Sequence, residues 1–175
     1  MVPTTRSWMR ALAGAVLLVP AGASATAAQQ AVIVVRHAEK ADQSSDAALS
    51  PDGMARAKAL ADLLRGAAVT HVLTSEYRRT RDTALPLASR QKLSIDTVPA
   101  RDLAALVARI GAAGPEAVVL VVAHSNTIAP MLAALGWPNT LTLTDEQYDD
   151  VFVLTPRDGT RPAAVLRLKY GRPTP

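Results

Sequence analysis

Two of the three histidines in this 175-residue chain come directly after apolar runs of strand length. His37 follows Ala31–Val35 (AVIVV), and His124 follows Ala117–Ala123 (AVVLVVA). Arg36 stands beside the first, and a third run, Thr70–Thr74 (THVLT), leads into a cluster of Arg78, Arg79 and Arg81. A lone histidine at a strand end is most often a packed or hydrogen-bonded structural residue. Two of them at the carboxyl ends of strands converge on one rim, the rim where open α/β sheets bind their ligands. Guanidinium and imidazole donors suit a transferring phosphoryl group, whose charge is spread over three equatorial oxygens. A neutral imidazole nitrogen can also attack phosphorus, provided its other nitrogen is held in the right tautomer, usually by a backbone carbonyl. The chain has no cysteine, so thiolate nucleophiles, disulfide scaffolds and zinc knuckles are excluded. No His-x-x-x-His or similar spacing marks a metal site, and His71, at a strand start, reads as a surface or packing residue.

The elements that must position these residues alternate in kind. Continuous apolar runs at 31–35 and 117–123 predict strands covered on both faces. Ser50-Pro51-Asp52 reads as a helix start with Ser50 as N-cap and Pro51 in the first turn, the helix running over Met54–Arg65 and closing at Gly66. Further helices are expected over Arg78–Arg90, over Leu103–Ile110 with Gly111 as stop, and over Thr127–Leu135 with Gly136 as stop. Strands are expected over Thr70–Thr74, Ser94–Val98, Val151–Thr155 and Ala163–Lys169. Strand, helix, strand, helix predicts an α/β fold, a three-layer sandwich with a mostly parallel central sheet and the last two strands antiparallel at an edge.

Three segments in order carry a family resemblance: Arg36-His37-Ala38-Glu39, then Thr74-Ser75-Glu76-Tyr77-Arg78-Arg79-Thr80-Arg81-Asp82-Thr83-Ala84, then Val121-Val122-Ala123-His124-Ser125. The chain resembles the histidine phosphatase superfamily, with its phosphoglycerate mutase-like fold, over about residues 31–155; Leu49-Ser50-Pro51-Asp52-Gly53 is similar to that family's second segment. The resemblance implies that His37 is the nucleophile that takes up the phosphoryl group, with Arg36, Arg79 and a protonated His124 completing the phosphate pocket. It implies no metal and no cofactor, because the arginines supply the electrostatics. Ala38 stands where the family commonly has glycine, and Ser125-Asn126 where glycine or asparagine is frequent. No glutamate matches the acid that protonates the leaving group in mutase-like members. Asp102 lies in roughly that region and Glu39 follows the nucleophile by two residues, so the acid is Asp102, Glu39 or neither. Glu39 and Asn126 are the further candidates for contact with substrate.

Composition narrows the partners. The aromatic share is 3% and the basic residues are scattered, so the stacking platform and basic stripe of a nucleic-acid binder are missing. Arg6 and Arg10, then an uncharged stretch with the apolar run Ala11–Val19, the breakers Pro20 and Gly22, and small residues at 23–27, have the layout of a secretory signal peptide over residues 1–27. The phosphatase-like domain then occupies 28–175, exported to the periplasm or outside the cell, with no stable membrane insertion after cleavage. Removing two of the nineteen basic residues leaves seventeen against fifteen acidic ones, a nearly balanced domain. The expected activity is phosphomonoester hydrolysis through phosphorylated His37, on a small phosphorylated substrate or a phosphoprotein. A catalytically weak phosphate-binding module is the rival, and a phosphomutase a more distant one.

Overall fold

The structure, a computed structural model, describes residues 31–156 and 162–175. The expected signal peptide and its boundary with the domain lie outside the described residues. In chain order the elements are β1 (Ala31–Arg36), α1 (Pro51–Leu63), β2 (His71–Thr74), α2 (Arg78–Gln91), β3 (Ile95–Thr97), α3 (Leu103–Ala112), β4 (Val118–Ala123), α4 (Ser125–Ala134), β5 (Asp150–Thr155) and β6 (Ala164–Lys169). The six strands form one sheet in the order β3-β2-β4-β1-β5-β6. β1 to β4 are parallel to their neighbours among themselves, while β5 runs antiparallel to both β1 and β6. The mostly parallel sheet with an antiparallel edge pair is therefore the fold that forms.

The unbroken apolar text of β1 and β4 has a simple cause, since both strands are central and covered on two faces. Ile33, Val35, Leu120 and Val122 face Leu60 and Ala61 of α1 and Ala84 and Leu87 of α2. Their sequence neighbours Val32, Val34, Val119 and Val121 face the other way, onto Ile110 of α3 and Ile128, Met131 and Leu132 of α4. Two cores on either side of one sheet give the three layers.

Helix starts follow their signals more closely than helix ends do. Ser50 Oγ accepts from the Gly53 amide at 3.0 Å, with Pro51 as the first helical residue. Gly66 is not the stop of α1: the helix ends at Leu63 and unwinds through tight turns, Leu64 N to Leu60 O at 3.0 Å and Ala67 N to Leu64 O at 3.1 Å. Such turns need no left-handed residue at Gly66, and the positive φ falls instead at Ala68. Gly111 is likewise inside α3, and the left-handed turn comes at Gly114, φ 95°. α4 begins two residues earlier than expected, which makes His124 its N-cap.

Candidate active site

The register of the two central strands brings the histidines together. Arg36 pairs with Ala123, and the His37 amide donates to the Ala123 carbonyl at 2.9 Å. One residue beyond each strand, the His37 and His124 rings lie 5.2 Å apart between centroids, tilted by 63°. His37 Nδ1 is 2.8 Å from the carbonyl oxygen of Ala38. A carbonyl can only accept, so Nδ1 carries the proton and Nε2 keeps its lone pair. Burial pushes the His37 imidazole down to about 3, and the neighbouring His124, Arg36 and Arg79 push in the same direction. The ring is neutral across the physiological range, the state a nucleophile requires.

His124 is held from two sides. Its Nε2 lies 2.9 Å from Ser75 Oγ, which in turn lies 3.0 Å from Thr80 Oγ1, and its backbone amide donates to Thr127 Oγ1 at 3.0 Å. Burial first, and then the Arg79 charge, lower its pKa to about 4. Near pH 7 that leaves His124 neutral, because burial and the arginine charges disfavour a third positive charge. An arriving phosphoryl dianion reverses that field and draws a proton onto the ring.

The two arginines present what remains of their donors to this space. Arg36 Nη1 donates to the carbonyls of Thr144, Asp145 and Gln147 at 3.0, 2.9 and 3.1 Å, and its guanidinium carbon sits 4.1 Å from the centre of the Tyr148 ring. Arg79 Nη1 donates to the Ser45 carbonyl at 2.9 Å, with its guanidinium over Tyr77 at 4.3 Å. In both side chains Nε is buried and has no hydrogen-bond partner among the described residues. Buried donors left open are destabilising unless something accepts from them. Arg78 pairs with Asp82 one turn on, and Arg81 donates to the Glu76 carbonyl. Neither lines the cavity.

That cavity measures about 600 Å³, and its walls include Arg36, His37, Arg79, His124 and Asn126, with Tyr77 and Tyr148 as flanking rings. Two of the residues singled out in the sequence are not brought into it. Both oxygens of Glu39 are taken by Arg56, with Nε at 3.0 Å from each and Nη2 at 2.7 Å from Oε1. Arg56 is 3% exposed and also donates to the carbonyls of Tyr170 and Arg172 at 3.1 and 2.9 Å. Glu39 thus ties the nucleophile loop to α1 and the C-terminal segment instead of facing substrate. Asp102 caps α3, its Oδ1 accepting from the Ala105 amide at 2.8 Å, and lies off the cavity wall. As N-cap it turns its carboxylate toward the helix backbone.

Ser75, Tyr77, Tyr148 and the carboxylates Asp145 and Glu146 reach the site without having been singled out for it. Ser75 and Tyr77 lie within the quoted segment after β2, so their signal was adjacency to Arg79. The Asp145–Tyr148 loop has no periodicity to betray it. Trp137 packs against the core on the α4 side, and His71 is exposed. Among the described residues no group of three or more His, Asp or Glu side chains is arranged to hold a metal ion.

A neutral imidazole with one nitrogen locked, a second imidazole 5.2 Å away and two guanidinium groups give the site the charge and donors to hold a phosphoryl group. Residues 32–102 match the model of the Histidine phosphatase superfamily (branch 1). The fold is similar to that of the protein histidine phosphatase SixA in complex with tungstate: 22% identity, TM-score 0.66, over 79% of this chain and 96% of that one. It is similar also to a mycobacterial glucosyl-3-phosphoglycerate phosphatase bound to VO3, with 20% identity and TM-score 0.60 over 78% and 96%. A mycobacterial hydrolase matches at 17% identity and TM-score 0.62, over 78% and 96%. No curated protein matches the chain in sequence.

Proposed function

We propose that the chain hydrolyses phosphomonoesters without a metal ion, by way of a phosphohistidine at His37. The observation that carries this reading is the Nδ1 contact to the Ala38 carbonyl at 2.8 Å, which leaves Nε2 as the free nucleophilic nitrogen. In the first step the Nε2 lone pair attacks phosphorus and the bond to the leaving oxygen breaks, its electron pair departing on that oxygen as an oxyanion that takes its proton from solvent. Arg36, Arg79 and His124 donate to the three equatorial oxygens, the His124 proton arriving with the substrate dianion. In the second step water attacks phosphorus, the P–N electrons return to Nε2, and the water's proton passes to solvent.

Because Asp102 and Glu39 are engaged elsewhere, the favoured substrates are those whose leaving group departs as a weak base, such as a phenol, an acyl group or an imidazole. A small phosphorylated compound and a phosphoprotein both meet that condition, and one structural neighbour is a protein histidine phosphatase. The carboxylates that do reach the site, Asp145 and Glu146, come from its rim, where the Asp145 side chain is 92% exposed, and the absence of a buried acid among the described residues of the site favours one rival, a phosphate-binding module with little turnover. The charge and apolar pattern of residues 1–27 supports export and a periplasmic or extracellular site of action.

The test is hydrolysis of an aryl phosphate from pH 4 to 8 in the presence of chelator, with His37→Ala alongside. Chelator-resistant turnover that disappears in the variant supports the covalent route. Turnover retained by His37→Ala overturns it, and vanadate binding without turnover transfers the conclusion to the binding module.

A further inference from the structure

Beside the anion pocket, between α3 and α4, lies a second cavity of about 290 Å³. Its walls are apolar, with Val98, Leu103, Leu106, Val121 and Pro130 among them, and no carboxylate or lysine lines it. Ala100, Arg101, His124, Asn126 and Thr127 line both this cavity and the anion pocket, so the two spaces meet at His124. The polar residues lining the second cavity are Thr74, Ser75, Arg101, His124, Asn126 and Thr127.

We infer that this annex is the subsite for the carbon skeleton of the substrate, and that the chain takes phosphate esters of small aromatic alcohols. The inference rests on the phosphatase reading above and adds the substrate class to it. Size and polarity make the selection. An apolar cavity of about 150 Å³ holds a benzene ring, so a space of 290 Å³ takes one or two fused rings with a substituent and excludes a folded peptide. A sugar would lay several of its hydroxyls against the apolar part of the wall, and each one left unpaired there would weaken binding. The position next to His124 lets a phosphoryl group in the larger pocket and a ring in the annex belong to one molecule.

Two readouts test this, one of them independent of turnover. In calorimetric titration the phosphate-free probe 2-naphthol binds to the wild type. Leu106→Trp fills the annex and abolishes that binding; Val98→Phe does the same from a second position, so that a misfolded variant, recognised by its melting curve, does not decide the matter. In turnover, the ratio of kcat/KM for 2-naphthyl phosphate over acetyl phosphate falls at least tenfold in either filled variant. Equal probe binding by wild type and both filled variants, or an unchanged ratio, overturns the annex while leaving the phosphatase reading in place. If neither phosphate is hydrolysed by the wild type, it is the phosphatase reading that fails, and the naphthol titration still decides the annex.

Discussion

Breaking the Arg56–Glu39 pair should unfold the nucleophile loop before it changes substrate recognition. Arg56 is 3% exposed and Glu39 has its side chain 18% exposed, so the pair is mostly desolvated, and removing one partner leaves the other as an uncompensated charge. Losing one member of a buried pair costs about 3–5 kcal/mol. Arg56→Met also gives up two donations to the C-terminal carbonyls, yet the unpaired Glu39 keeps some access to water, so about 3 kcal/mol is expected. Glu39→Gln preserves an acceptor for Nε and leaves the cation, for a loss of about 1–2 kcal/mol. With a urea m-value of roughly 2 kcal/mol/M for a domain of this size, the midpoints should fall by about 1.5 M and 0.5–1 M. The double variant should fall by less than the sum, because each single change already removes the shared interaction. Under folding conditions Glu39→Gln should leave KM for an aryl phosphate within about twofold. A KM raised tenfold or more in Glu39→Gln, with the urea midpoint unmoved, would refute the reasoning and return Glu39 to the substrate.

Acid should destabilise the protein between about pH 6.5 and 4. The folded-state values of His37 and His124, about 3 and about 4, lie below the unfolded value, so the unfolded chain binds more protons there and stability rises with pH, by up to about 1.4 kcal/mol per unit for each ring. Urea midpoints across that range should show a clearly shallower slope in His124→Gln. Gly53→Ala places a Cβ 2.3 Å from the Glu39 carbonyl oxygen, a backbone clash that should cost about 1–3 kcal/mol and reduce turnover by displacing the loop that holds His37; wild-type activity and melting temperature would contradict it. Vanadate at a hundred times its dissociation constant should stabilise the fold by about 2.7 kcal/mol, seen as a raised melting temperature that disappears when Arg36 and Arg79 are both replaced by Ala. Thr74→Val removes an unpaired buried hydroxyl and should hold or raise the urea midpoint; a fall of 1 kcal/mol or more would mean that the hydroxyl has a partner.

How much of this was legible depends on the reach of each signal along the chain. β1 and β4 read correctly because a central strand covered on two faces must be apolar on both, a property carried by five consecutive residues in β1 and six in β4. His37 and His124 could be placed on one rim because both follow such strands directly. Asp102 was ambiguous in kind: a carboxylate three residues before the Ala105 amide is equally a helix cap, and the cap won. Glu39 was misjudged as a substrate contact because its partner Arg56 completes its bonds at Tyr170 and Arg172, over a hundred residues away, where no spacing rule reaches. Tyr148 sits in an aperiodic loop that wraps Arg36, and loops without a period give no warning of what they enclose. Helix stops at Gly66 and Gly111 failed because a helix can unwind through tight turns, so glycine is sufficient there but not required.

The strand that leads into His37 comes early in the described residues and is among the last to be framed. β1 pairs with neither β2 nor β3; its neighbours are β4, beginning at Val118, and β5, where Val151 to Leu154 close its other edge. The Glu39–Arg56 tie just beyond it waits for residues 170–172. During synthesis, then, no local stretch can assemble the pocket: the apolar run before Arg36 has no neighbour on either edge until residues 118–154 have been made. Contacts this distant in sequence make folding slow, so the site forms late, with the sheet and not ahead of it.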